Sequence, residues 1–295
     1  MNRNILVSAP AEIRRNMGLL EIKTRERIVR IPFREVGSLV IESEASTITN
    51  AALSALMGNN VSVSVCGPNH MPIGMMLPTE GHCRQAELIE SQLAIAEPLR
   101  KRLWKKIVEA KIKNQTSVLD ALNLDSRVLK TYARSVRSDD SDNREGAAAA
   151  AYFRALVPEG GRRDGERTGP LDYGYAILRA CIGRHAAAGG WLLSRGIKHH
   201  SQYNAFNLVD DLIEPFRPIV DLVVMANDLT DPLSLDDRRL LVRTLECLMK
   251  FEGKRLTIDG CAEGLVDSLR AAVRYKEAKL LKVPVLVGLT YAEFE

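Results

Sequence analysis

Two stretches of this 295-residue chain gather side chains suited to phosphate chemistry. In N-R-E-G, residues 143–146, directly before five alanines and Tyr152-Phe153, Asn143 is placed to cap a helix and Glu145 falls in its first turn. There the carboxylate either complements the positive end of the helix dipole or faces a cleft. The second stretch, Gly196 to Pro218, carries His199 and His200 in a loop and then a short helix from about Asn207. Asp211 and Glu214 stand three apart, so both carboxylates can point at one spot, while Asp210 points elsewhere. One reading makes them salt-bridge partners for neighbours such as Arg217. The other makes them metal ligands: carboxylate oxygens with one imidazole suit Mg²⁺ or Mn²⁺ rather than a structural zinc. A loosely held hard cation of that kind neutralises phosphoryl oxygens and activates an attacking oxygen. The pattern alone does not separate His199 from His200. His70, His82 and His185 read as structural, His185 because it lies on a helical stripe with Ala and Cys neighbours.

The elements that must position these groups fall into two kinds. Short β-rich runs at Ile5 to Val7, Leu19 to Ile22, Ile28 to Ile31, Leu39 to Ile41 and Val61 to Val65 fill residues 1–80, interrupted by one helix from Ser46 through Met57 with Gly58 as its stop. Beyond Pro78 the apolar period becomes helical, with a linker near residues 78 to 86. The fold class expected is therefore α+β: a β-rich N-terminal domain, 1–80, followed by a larger all-helical catalytic domain, 81–295. Ser234 with Asp237 predicts a capping box for a helix carrying Leu241, Leu245, Leu248 and Met249, stopped by Gly253. A last helix is expected from about Ala262 to Tyr275. The alanines from Ala147 to Ala151 predict a closely packed buried helix, and Pro158 to Gly169 and Arg137 to Asn143 read as polar loops.

Composition narrows the partners. Five scattered cysteines with no C-x-x-C pair indicate neither a disulfide framework nor a zinc site. No apolar run approaches the roughly 18 residues of a spanning helix, and the N-terminus lacks a signal-peptide core, so a cytoplasmic, non-membrane protein is expected. The net charge is only +4, but seven basic residues (Arg100, Lys101, Arg102, Lys105, Lys106, Lys111, Lys113) face just Glu97 and Glu109 between positions 97 and 113. A phosphate backbone fits that excess; so does a solvated helix face whose basic stems cover apolar surface.

The strings N-R-E-G at 143–146, L-D-Y-G-Y at 171–175, G-I-K-H-x-x-Q-Y-N-x-F-N-L at 196–208 and D-L-I-E-P-F-R-P-x-x-D at 211–221 resemble the universal CRISPR adaptation integrase, in the form found beside the single-protein effector nuclease. A weaker string, W-x-x-x-x-x-x-K-x-x-N-Q from Trp104 to Gln115, joins them, and the resemblance covers nearly the whole chain. It implies a metal site of Glu145, His199 and Glu214 holding Mg²⁺ or Mn²⁺, with Asp211 as an auxiliary acid. His199 is selected because it follows G-I-K and precedes the glutamate by fifteen residues; His200 departs from the pattern and could substitute for it. The resemblance further implies a homodimer, a small ferredoxin-like partner, association with the effector nuclease, and transesterification in which the 3′-hydroxyl of a captured duplex attacks repeat DNA. Arg84 and the basic residues from Arg100 to Lys113 would then grip the DNA backbone, and Arg162, Arg163 and Arg167 could order on it. The competing functions are a structure-tolerant DNase using the same site and a non-catalytic DNA-binding scaffold.

Overall fold

A computed structural model describes residues 2–78, 83–157 and 165–293. The chain opens with strands β1 (Arg3–Val7), β2 (Glu12–Asn16), β3 (Leu19–Lys23), β4 (Ile28–Pro32), β5 (Val36–Ile41) and β6 (Thr47–Ile48), then helix α1 (Asn50–Gly58), then β7 (Ser62–Cys66) and β8 (Pro72–Met76). Two four-stranded sheets result. One runs β1-β5-β7-β8, with β1, β5 and β7 parallel and β8 antiparallel; the other runs β4-β3-β2-β6.

The β5 strand explains how the β-rich part meets the rest. All but its last residue are buried, as expected for a parallel strand covered on both faces. Successive side chains alternate faces: Leu39 packs with Ile13, Leu20, Phe33, Leu56 and Val63 in one core, whereas Val40 joins the second core, built from the helices. Glu42 follows on the Val40 side. Its fully buried carboxylate accepts from Arg238 Nε at 2.9 Å and Tyr173 Oη at 3.0 Å, both from the helical part. A buried charge persists only when paired in this way.

The helical part comprises α2 (Gln85–Leu93), α3 (Glu97–Ala121), α4 (Arg127–Ser135), α5 (Arg144–Leu156), α6 (Thr168–Ala188), α7 (Asn207–Leu212), α8 (Arg217–Ala226), α9 (Leu235–Arg243) and α10 (Ile258–Arg274). Between α9 and α10 lies a hairpin of β9 (Leu248–Phe251) and β10 (Lys254–Thr257). The long α3 is the spine against which α4, α5 and α8 pack.

The α+β class and the strand-then-helix order are as the sequence predicts, with local corrections. The expected all-helical second part contains the β9–β10 hairpin. The capping box at Ser234 and Asp237 is present, but α9 ends at Arg243, and Leu248 and Met249 lie in β9. Gly253, with φ +85°, is the hairpin turn rather than a helix stop. Aliphatic spacing at 241, 245, 248 and 249 suits a helix face or a strand entering the same core, and local sequence does not arbitrate. The first helix starts at Asn50, capped by Thr49, since residues 47–48 pair with β2. Strands β2 and β8 carry few buried apolar groups, so no apolar alternation marks them in the sequence. Of the five alanines in α5, only Ala148 is buried. His82, Arg162 and Arg163, with part of the expected linker, lie outside the described residues.

Candidate active site

Glu145 is aimed by the start of α5. Asn143 adopts the left-handed conformation at φ +51°, which asparagine tolerates, and its Oδ1 accepts from Gly146 N at 3.2 Å. Asp140 accepts from the backbone N–H groups of Arg144 and Glu145 at 2.8 and 3.0 Å, completing the cap. A Cβ on residue 146 would lie 2.8 Å from the Asn143 amide and push that capping side chain aside, so glycine keeps the cap intact.

The second half of the site is the loop before α7. Asp211, fully buried, accepts from the backbone N–H groups of Ile197, Lys198 and His199 and from His199 Nδ1 at 2.7 Å. Its approach demands Gly196, whose Cβ would fall 2.6 Å from Asp211 Oδ2 and closer still to the His199 carbonyl oxygen. That close approach is why glycine stands there. Asp211 therefore does not point at the same spot as Glu214: its oxygens are committed to the loop and to the imidazole. It fixes the His199 tautomer with Nδ1 as donor and leaves Nε2 as the ring atom able to bind a ligand. The hydrogen bond to Asp211 raises the His199 pKa above its usual value, against partial burial, with Glu214 and Glu145 adding to the rise. Trp104, buried in α3, meets the imidazole edge-on at a centroid distance of 5.9 Å and limits its rotation. His200 is exposed like His199, but its Nδ1 pairs with the Lys198 carbonyl at 2.9 Å rather than with a carboxylate.

Glu214 sits in the turn beyond α7, its side chain 6% exposed. Between it and Glu145 stands Lys111 of α3, with Nζ 2.7 Å from Glu145 Oε1 and 2.5 Å from Glu214 Oε2. Arg217 Nε lies 2.9 Å from the other Glu214 oxygen. Burial works against charge on Glu214, yet Lys111 and Arg217 outweigh it and hold the carboxyl below its ordinary range. Burial equally works against charge on Lys111, and the two glutamates reverse it, so its pKa is raised. Although Lys111 is in close ionic contact with Glu214 Oε2, no aligned hydrogen bond satisfies that oxygen.

Lys111 is expected from the sequence among DNA-gripping residues; the structure instead places it at the heart of the carboxylate pair. The signal is present in W-x-x-x-x-x-x-K-x-x-N-Q. Trp104 and Lys111, two helical turns apart, share the face of α3 turned to the site. Asn114 donates to the carbonyls of Pro215 and Pro284, fixing the turn that carries Glu214. The other strings position as well. Tyr152 and Tyr175 both donate to buried Asp221, and the Arg217 guanidinium stacks over Tyr175 at 4.7 Å. Gly174 lets α6 approach α8, since a Cβ there would collide with the Val220 side chain. Asp210 points away from the glutamates, to Arg179 at 2.8 Å.

Beside His199 opens a cleft lined by Asp172, Tyr175, Arg179, Asp210 and Arg217, and on its other side a second cleft lined by Arg100, Lys198 and His200. Residues 5–259 match the family model described as CRISPR associated protein Cas1. The chain belongs to the Cas1 family. It is 35% identical, over 95% of its length and 97% of the relative's, to the CRISPR-associated endonuclease Cas1 of Neisseria meningitidis serogroup C (strain 8013). A Cas1 from Pyrobaculum aerophilum is 28% identical over 75% of this chain and 80% of its own. Among solved structures, a Cas1 protein from Thermotoga maritima superposes with TM-score 0.73 at 14% identity, covering 99% of this chain and 100% of its own. A casposase bound to integration product reaches 0.75 at 21% identity, covering 92% and 91%. These likenesses carry the Cas1 fold.

The donor set of Glu145, Glu214 and His199 suits a hard divalent cation: two carboxylates held by a lysine and an imidazole nitrogen turned free. Among the described residues, however, the trio whose ligand atoms all lie within 4.8 Å of one another is Cys181, His185 and Asp259. That trio does not fit a cation. The Arg184 guanidinium already rests on Asp259, and His185 Nε2 contacts the same oxygen at 2.9 Å.

The remaining basic residues divide. Lys106 caps the carbonyls of Lys279 and Leu281, and burial lowers its pKa. Lys101, Lys105 and Lys113 pair along α3 with Glu97 or Glu109, and Arg84 lies 3.8 Å from Glu87. Arg102 is exposed and Arg100 reaches the Ile197 carbonyl at 3.5 Å. Arg167 is tied to Asp228 and the Leu229 carbonyl. No helix among the described residues is long and apolar enough to cross a membrane.

Proposed function

We propose that this chain is a divalent-metal-dependent DNA integrase that inserts captured duplex fragments into a CRISPR repeat by attack of a fragment 3′-hydroxyl on a repeat-boundary phosphodiester. The observation that carries the reading is that Glu145 and Glu214 meet at Lys111 Nζ and lie near enough to His199, whose Nε2 is left free by Asp211, to act on its charge. Mg²⁺ or Mn²⁺ held by these three residues would neutralise the phosphoryl oxygens and activate the attacking hydroxyl.

The chain's own residues do the rest. Asp211 fixes the imidazole tautomer, Trp104 fixes its plane, and Asn114 fixes the turn bearing Glu214. Arg217, held over Tyr175, and Arg179 line the cleft beside His199 and present guanidinium groups to phosphate oxygens. The exposed Arg84, Arg102 and Lys113, with Lys101 and Lys105, supply backbone contacts that read charge and not sequence. A core of its own within residues 7–63, beside the larger core built mainly from residues beyond 87, fits a β-rich unit before about residue 81 and a catalytic unit after it.

Partners follow from the family. Neisseria Cas1 is named an endonuclease, the casposase was captured on integration product, and a Cas6-RT-Cas1–Cas2 complex and a DNA complex of another Cas1 share the fold. Repeat and fragment DNA, a second copy of this chain, the small ferredoxin-like partner and the effector nuclease are the proposed associates. The test is strand joining between a labelled duplex and a repeat-bearing plasmid in Mg²⁺ or Mn²⁺, wild type beside Glu214→Ala. Joined product that vanishes in the variant supports the integrase. Cuts without joins would make it a nuclease, and binding without either would make it a scaffold.

A further inference from the structure

We propose that Lys111 is a built-in counter-cation that competes with the divalent metal for Glu145 and Glu214, so that metal loading expels its ammonium toward the DNA backbone. The inference rests on the metal site proposed above and adds that metal and DNA binding are coupled through this one side chain.

Lys111 Nζ stands in contact with one oxygen of each glutamate, at 2.7 and 2.5 Å, and so occupies the two carboxylates that a cation held there would need. Two acidic side chains face two basic ones, Lys111 and Arg217, so the cluster is balanced as it stands. A dication added to it would bring like charges together where Glu214 is almost fully buried and screening is weak. One basic group must withdraw, and the two are not equally free. The Arg217 guanidinium is stacked on Tyr175, whose hydroxyl is bound by buried Asp221. Lys111 has a flexible four-carbon stem, is 13% exposed and, among the described residues, is held by the two glutamates.

An expelled ammonium beside a metal-loaded cleft finds its counter-charge in a phosphodiester. Binding of DNA then favours the expelled state, and by linkage each ligand tightens the other. The lysine also keeps two buried carboxylates from facing each other uncompensated while no metal is present.

The test is Mn²⁺ titration followed by the paramagnetic resonance of free Mn²⁺, at about pH 8 where carboxylates are ionised, with and without a short duplex. Lys111→Met should bind Mn²⁺ roughly tenfold more tightly than wild type without DNA. Lys111→Arg should restore the competition, and the tightening by duplex should be larger in wild type than in Lys111→Met. Equal or weaker Mn²⁺ binding by Lys111→Met overturns the proposal while leaving the metal site standing. Mn²⁺ binding that survives Glu214→Ala, or that wild type and Lys111→Met both lack, removes the metal site itself and the proposal with it. Should the methionine variant not fold, a wild-type crystal soaked in Mn²⁺ decides: anomalous signal between the glutamates with Lys111 Nζ displaced supports the exchange, and Lys111 still bridging both refutes it.

Discussion

Two buried clusters of this chain use the same kinds of group, a carboxylate, an imidazole and a basic side chain, and finish in opposite states. Around Asp259, one carboxylate is served by Arg184, His185, the Cys181 thiol and Asn2. Burial opposes its charge, but His185 and Arg184 overcome that and hold the carboxyl well below the usual range, while burial pushes the Cys181 thiol up. Around Lys111, two carboxylates share a lysine, an oxygen of Glu214 stays unsatisfied, and the nearby imidazole is turned by a third acid so that its free nitrogen faces a cleft. The first cluster is saturated and ties α6, α10 and Asn2, just ahead of β1, together. The second holds its two acids with one flexible lysine and leaves an imidazole nitrogen open, so its balance can be exchanged for a ligand. How firmly the bases are anchored, and not the list of residue types, separates a structural knot from a candidate reactive site.

Substitution can break that contrast directly. Glu214→Ala should cost on the order of a thousandfold in strand joining, while Cys181→Ala leaves the joining rate of folded protein unchanged; equal losses in the two variants would erase the distinction. Asp259→Asn should destabilise the fold by about 3–5 kcal/mol, as expected for a broken buried ion pair, read from the denaturant midpoint, with joining per folded molecule retained. The pH dependence gives its sign. A carboxyl depressed in the folded state contributes stability that is present above its unfolded pKa of about 4 and lost as pH falls below that toward the folded value. Wild type should therefore lose stability in acid more steeply than Asp259→Asn.

Asp211 sharpens the comparison, because it holds the His199 imidazole and loop of the proposed site without facing its glutamates. Asp211→Asn should lower Mn²⁺ affinity or joining by roughly 10- to 100-fold, the usual effect of losing a carboxylate behind a ligand histidine. A loss as complete as that of Glu214→Ala would mark it a ligand instead. The smallest effect belongs to the surface. Replacing exposed Arg102 or Lys113 by Ala should reduce the salt dependence of duplex binding by about 0.9 in slope for each phosphate no longer neutralised, with stability shifts below about 0.5 kcal/mol. An unchanged slope would assign both to a merely solvated face.

Much of the site can be read from spacing because its parts are local. Asn143, Glu145 and Gly146 form one helix cap, and Gly196, His199 and Asp211 form one loop closed on itself. Glu145 and Glu214 become neighbours in the sequence only through the family resemblance; no periodicity connects them. Lys111, a lysine among six other basic residues, looks like surface, and only its register with Trp104 distinguishes it. The β9–β10 hairpin reads as helix because its aliphatic residues satisfy either period.

What the chain determines by itself is the type and order of elements, the caps that end them and the strings that mark its family, since these depend on residues within a few positions of each other. The tertiary structure alone decides which charges meet. Lys111 reaches Glu145 across 34 positions and Tyr173 reaches Glu42 across 131. Whether each carboxylate ends up held by anchored bases or by a flexible one is fixed by which helices pack together, because a buried charge is stabilised by whatever stands within a few ångströms and by nothing further along the chain.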